Sequence, residues 1–161
     1  MKKQALQGGV GMTGNEVMSV IRQRASDIDK LNLTDSEILE NINTVIRYLS
    51  LVLIAKRSPV MIASEEMADY TTLPPGFHSF VGAHPAYTEG NIIRLYDPTT
   101  TFTVRYFQSM PQINALTAVL PFEDIYKDAI VEGALMLCLN KDEFDVSFEN
   151  ALYEKIAGLL P

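Results

Sequence analysis

The hydrophobic period of this chain changes twice, from helical to alternating and back to helical. That double switch constrains the fold more than any single motif, because a 3.6-residue stripe and a two-residue alternation bury their apolar side chains in different elements. The first helical stretch opens at Thr13, where T-x-x-E with Glu16 spells a capping box, and Met12 and Val17 stand as a hydrophobic staple around it. Val17, Val20, Ile21 and Arg24 then mark a short helix with a thin apolar face. The same signature recurs at Thr34 and Glu37, stapled by Leu33 and Ile38. Ile38, Leu39, Ile42, Val45, Ile46, Leu49, Val52 and Leu53 follow at helical spacing and predict the central core helix. Lys56 and Arg57 suit its negative end, and Ser58-Pro59 stops it.

The pattern then becomes β-like. Val60–Ala63 is short and apolar, Leu73-Pro74-Pro75-Gly76 must turn, and Phe77–Val81 has strand character. Asn91–Tyr96 and Thr101–Phe107 read as two paired strands joined by the turn Asp97-Pro98-Thr99-Thr100. Phe102, Val104 and Tyr106 are expected on one face of the second, with Thr103 and Arg105 on the other. Helical spacing returns after Leu120-Pro121, with Pro121 in the first turn and Ile125, Ala129, Ile130, Ala134 and Cys138 along one face. Phe144, Phe148, Leu152, Ile156 and Leu159 mark a last amphipathic helix. The fold expected is α+β, mainly α: a helical bundle of two N-terminal and two C-terminal helices with a β-hairpin-rich insertion at about 60–110. Residues 1–11 read as a flexible N-terminal arm and 12–161 as one domain.

Length and composition agree with one globular core. A chain of 161 residues with 47% hydrophobic and 20% charged residues is neither collagen-like nor wholly disordered. Thirteen basic against 20 acidic residues leave a net charge of −7, so the sequence advertises no basic surface for gripping nucleic acid. Lys2 and Lys3 have no apolar run behind them, and Leu49–Ala55, the longest apolar stretch, falls far short of the roughly 20 residues that span a bilayer. The expectation is a soluble protein made in the cytoplasm, without a membrane partner.

Several patterns tempt a chemical reading. Gly9-Val10-Gly11-Met12-Thr13-Gly14 spells G-x-G-x-x-G with Asp29 downstream, but no buried strand leads into it, as a dinucleotide fold requires; a glycine-rich arm is the plainer reading. His78 and His84, with Asp69 or Glu65, have the ligand types of a two-histidine carboxylate site at a spacing that matches no motif. They read instead as loop histidines, one packed beside Phe77 and Phe80. Cys138 sits between Leu137 and Leu139 on an apolar face, the opposite of an activated thiolate's setting. No G-x-S-x-G elbow is present, and Thr34 of the Asn32-Leu33-Thr34 sequon is better used as a cap. Arg22, Arg24, Lys30, Arg47, Lys56 and Arg57 are interleaved with acids, and the second helix is too apolar to be a DNA-reading helix. The expectation is therefore no enzyme, no cofactor and no metal.

Four segments, Leu33–Asn43, Tyr70–Phe77, Ile93–Pro98 with Val104–Phe107, and Leu120–Ala134, together resemble the head–tail connector, or adaptor, proteins of tailed bacteriophages, including the adaptor ring under the portal of short-tailed phages. Leu33-Thr34-Asp35-Ser36-Glu37-Ile38-Leu39-Glu40-Asn41-Ile42-Asn43 is similar to the family's capped helix. Tyr70-Thr71-Thr72-Leu73-Pro74-Pro75-Gly76-Phe77 is similar to its lead-in to the β region. Ile93-Arg94-Leu95-Tyr96-Asp97-Pro98 with Val104-Arg105-Tyr106-Phe107 resembles its strand pair, and Leu120–Ala134 resembles its L-P-x-x-y-x-D-A-[IL]-x-x-G-A helix. The resemblance spans roughly 12–160. It implies a ring, commonly of twelve copies, in the neck of a virion, with portal, tail or neck proteins and further copies of itself as partners. DNA would pass through the lumen without sequence-specific binding, and no catalysis is implied. Some members carry an extended C-terminal tail that inserts into the portal; here Pro161 follows the last helix directly, so docking is expected to use the 1–11 arm or the β insertion. Tyr87, Arg94, Tyr96 and Arg105 are the side chains expected at contacts with neighbours, since aromatic and arginine residues dominate interface hot spots. The other reading is a small non-enzymatic binding or scaffolding module that grips a single protein partner.

Overall fold

Both capping boxes close. Thr13 Oγ1 accepts the Glu16 N–H at 3.3 Å while the Glu16 carboxylate takes the Thr13 N–H at 3.0 Å. Thr34 and Glu37 repeat the exchange at 3.1 and 2.7 Å. They start α1 (Gly14–Arg24) and α2 (Asp35–Ala55), and all four staple residues, Met12, Val17, Leu33 and Ile38, are buried. The computed structural model describes residues 11–140 and 146–161. Residues 1–10 of the expected arm, with Gly9 and Val10 of the G-x-G-x-x-G segment, and Phe144 lie outside the described residues.

Among the described residues the fold is mixed α+β, with four α-helices and two small antiparallel sheets. The chain divides into two compact units: one runs to Val52 and resumes at Pro111, and the other is Leu53–Met110.

In the first unit, Val17 and Ile21 of α1 and Ile38, Ile42, Val45, Ile46, Leu49 and Val52 of α2 are enclosed. Each such side chain contributes about 1.5–3 kcal/mol by leaving water. By length and composition alone α2 could cross a membrane, but 56% of its most apolar window is buried inside the protein. The segment before α3 (Lys127–Leu139) corrects the expected start of that helix. Pro121 sits in a bend, Asp124–Tyr126 forms a single 3-10 turn, and Ile125 is 56% exposed rather than on the buried face. Phe122 and Tyr126 are the anchors instead, edge to face with ring centres 5.6 Å apart. Ala129, Ile130, Ala134 and Cys138 are buried as expected, as are Leu152 and Ile156 of α4 (Val146–Gly158). Gly133 lets α3 approach its neighbours: a Cβ there would stand 3.1 Å from Val45 and 3.4 Å from Ile156.

The N-terminus of α1 is tied to the 116–124 segment. Gly14 N–H donates to Ala118 O, Asn15 N–H to Leu116 O and Leu120 N–H to Met12 O. Gly14 has to be glycine, because a Cβ would meet Leu116 O at 2.8 Å. The scattered basic residues are largely spent on acids: Arg22 on Asp27 and Asp35, and Arg24 on Glu132.

The second unit holds β1 (Ile62–Ala68), β2 (Thr71–Thr72), β3 (Phe77–Phe80), β4 (Ala86–Glu89), β5 (Ile92–Leu95) and β6 (Thr101–Gln108). The sheet orders are β1-β6-β3 and β2-β5-β4. The expected pairing of the strands at 91–96 and 101–107 is therefore corrected. β5 has β4 and β2 on its two sides, β6 has β1 and β3, and the Asp97–Thr100 turn hands the chain from one sheet to the other. Asp97 Oδ1 holds that turn by accepting from Thr99 N–H and Oγ1. The true hairpin is β4–β5, closed at Gly90-Asn91, with Tyr87 opposite Arg94 and Glu89 opposite Ile92. Met67, Ala86, Ile93, Leu95, Val104 and Tyr106 form the core, drawn from both sheets. Phe102, expected beside Val104 and Tyr106, is 38% exposed near the open end of β6, and Phe107 is buried instead.

Candidate interaction surface

Asp69 and Tyr70 make the two-residue step from β1 to β2, and both are unusual for their types. Asp69 is a carboxylate only 5% exposed; Oδ1 accepts the Leu95 N–H at 2.7 Å and Arg94 Nε at 3.1 Å. The bond from Leu95 holds its carboxyl below the usual carboxylate range against the opposing pull of burial, with Arg94 adding to the effect. Oδ2 is enclosed with no hydrogen-bond partner. Tyr70 has φ 64°, a left-handed backbone that a bulky residue rarely adopts.

Arg94 joins these residues to β4. Its other arm reaches Glu89 at 2.7 Å, and Glu89 first and Asp69 second push its pKa up. Its guanidinium lies 4.0 Å from the centre of the Tyr70 ring. Held by two carboxylates and stacked on an aromatic ring, Arg94 works as a clamp rather than as a free cation. Tyr87, opposite it on β4, meets Tyr96 with ring centres 5.3 Å apart, and the pair flanks a shallow depression lined also by Leu95 and Pro98. Tyr70, Tyr87 and Tyr96 are 64%, 40% and 71% exposed. The arrangement offers three rigidly based phenol rings over a charge-compensated floor, which suits contact with another protein surface.

Of the expected contact residues, the structure brings Tyr87, Arg94 and Tyr96 together and leaves Arg105 apart. Arg105 stands on β6 opposite Ser64, in the other sheet. Its backbone N–H donates to His84 Nε2 at 3.1 Å. The His84 ring stacks on Phe80 and meets the Phe102 edge. His78 lies in β3 rather than in a loop, with Nδ1 3.0 Å from Ser79 Oγ. Asp69, weighed as a third ligand beside the histidines, is committed to Leu95 and Arg94. Among the described residues, no group of three or more His, Cys, Asp or Glu side chains is placed to hold a metal ion. Cys138 is buried, and its Sγ accepts from Asn41 Nδ2.

Sequence reasoning did not place Asp69, Tyr70 or Glu89 at this surface. A usable signal was present: an aspartate at the end of a strand pattern, followed by a residue forced to turn, reads as a side chain bonding to nearby backbone. No protein-family model matches the chain, and no curated protein matches it.

Proposed function

We propose that this chain is a non-enzymatic structural protein of a tailed-phage virion, a head–tail connector. It would assemble as a ring, of about twelve copies by resemblance to the family, in the neck below the portal. The layout this reading carries is a helical bundle, two helices from each end of the chain, with the β-rich segment as its insertion. One observation carries the reading furthest: the insertion presents Tyr70, Tyr87 and Tyr96, all exposed, on a floor held by the Asp69–Arg94–Glu89 clamp. Such a surface stabilises little in the lone chain and is composed like the anchor of a protein–protein contact. The resemblance of the four motif segments supplies the kind of assembly, and a net charge of −7 is compatible with DNA passing without being gripped.

The test is light scattering coupled to size exclusion, on the chain alone and after mixing with the portal protein of the same genome. A stoichiometric high-mass complex, lost when Tyr87 and Tyr96 are both changed to Ala, supports the connector. A constant small oligomer that ignores portal overturns it and moves the weight to a module gripping one partner.

A further inference from the structure

The loop between α1 and α2 carries two non-glycine residues in the left-handed region. Ser26 ends α1 in the left-handed conformation, φ 55°, while Asp27 N–H reaches back to Arg22 O at 2.8 Å and Ser26 N–H to Gln23 O, a Schellman closure without its usual glycine. Lys30 is left-handed as well, φ 58°. At the base of the loop Asp27, 3% exposed, accepts the N–H groups of Asn32 and Leu33 at 2.9 and 3.0 Å and pairs with Arg22 at 2.9 Å. Arg22, itself 5% exposed, also donates to Leu33 O. A buried ion pair and the hydrogen bonds around it thus tie the base of a short loop. Yet the large apolar side chains on that loop stay in water: Ile28 is 70% exposed and Leu31 82%. A preorganised loop with two idle aliphatics has the form of a docking knob, since ordering it in advance lowers the cost of binding.

The same unit carries a socket. A groove along α2, closed by the last turn of α3, is lined by Leu33 and Leu137, by the charged Glu37, Glu40 and Arg47, and by three uncharged polar side chains. The knob reads Ile28-Asp29-Lys30-Leu31, one aliphatic at each end and one charge of each sign between them. The groove offers the opposite charges: Arg47 is exposed for Asp29, and Glu40 for Lys30, whose present partner, Asp35 at 3.8 Å, is an exposed and loosely held one. In a chain of net charge −7, copies repel in general, so a patch matched in both signs favours one register of approach.

We infer that the Ile28–Leu31 loop of one copy docks in the α2–α3 groove of a second copy of this chain. Knob and socket share no residue, so the contact joins two different sets of side chains. It uses none of the residues of the tyrosine surface and needs no portal.

Sedimentation velocity over a concentration series of the full chain tests this. Changing Ile28 and Leu31 together to Ser removes apolar surface that is already exposed, so thermal unfolding should not move while self-association weakens by roughly tenfold or more. Lys30→Glu and Glu40→Lys should each weaken association, and the two combined in one chain should restore it. Three results overturn the inference: a wild-type chain still monomeric at about 1 mM, association indifferent to the double serine variant, or a double serine variant that loses portal binding while self-association is untouched. Self-association through the loop by a chain that never binds portal would refute the connector reading and leave this contact standing.

Discussion

The guanidinium of Arg94 lies 4.0 Å from the centre of the Tyr70 ring, and Tyr70 holds that position with a left-handed backbone. A glycine would relieve the backbone by about 1–2 kcal/mol, while the exposed stacking contact is worth about 0.5–1 kcal/mol. Tyr70→Gly should therefore leave the melting temperature unchanged or slightly higher. If the ring anchors a partner, the same change should weaken binding by about tenfold or more, since hot spots cost about 2 kcal/mol or more on truncation. A variant that loses stability and keeps its partner would place Tyr70 in the scaffold instead.

Acid should weaken the fold, and the sign follows from the carboxylates. Asp69 is held below its ordinary pKa by the Leu95 N–H and Arg94. Asp27 ends below it too: burial pulls it up, but the backbone N–H groups of Asn32, Leu33 and Leu31, with Arg22, outweigh that pull. Between the folded and unfolded pKa values the unfolded chain binds more protons, so the stability these groups supply is fully present above an unfolded value of about 3.9. It is lost as pH falls through the lower folded values. Thermal unfolding followed from neutral pH downward should show a falling midpoint in that acid range, with a shallower fall in Asp69→Asn. A midpoint that rose on acidification would refute this assignment of the two carboxylates.

Arg22 is the most consequential single charge in the helical unit. Arg22→Met keeps most of the side-chain volume but leaves Asp27 buried beside an apolar group. Removing one member of an enclosed pair costs about 3 kcal/mol. The Asn32 and Leu33 N–H groups and the Asn32 side-chain amide still bond to Asp27, so the chain should still fold, with a lower urea midpoint and an unchanged slope. An unaltered midpoint would mean that the pair is neutral in energy.

How much of this was readable in advance depended on whether the signal was local. Thr13–Glu16 and Thr34–Glu37 act within four residues, so their spacing alone located the starts of α1 and α2. Strand pairing is not local. Asp97–Thr100 announced a turn, but whether β5 and β6 then pair depends on what already covers their edges, which is decided by β2, β4, β1 and β3. The Gly90-Asn91 dipeptide was the better hairpin signal, flanked by Tyr87-Thr88 and Ile92-Ile93. At the candidate surface, residue type was enough to single out Tyr87, Arg94 and Tyr96. Asp69 lies 25 residues before Arg94 and meets it only once β2 has paired with β5. Arg105, of the same type as Arg94, faces away because a strand's alternation and its sheet, not its composition, set where a side chain points.

Two glycines with nearly the same backbone separate strain from collision. Gly76 (φ 75°) and Gly82 (φ 73°) both occupy the left-handed region, so alanine at either site carries a conformational cost of about 1 kcal/mol or more. Around Gly82 nothing lies within 4 Å of a new Cβ, whereas at Gly76 the Cβ would meet the Ser109 carbonyl at 2.7 Å. That carbonyl cannot retreat easily, because the Ser109 N–H donates to Gly76 O at 2.9 Å and closes the Pro74–Phe77 turn against the end of β6. Gly76→Ala should therefore cost about 1–3 kcal/mol more than Gly82→Ala, the usual range for forcing an extra methyl group into packed structure. Urea denaturation of the two variants beside the wild type reads the difference directly. Equal midpoints would mean that the Pro74–Phe77 turn yields to the methyl group, and that its glycine is there for its backbone alone.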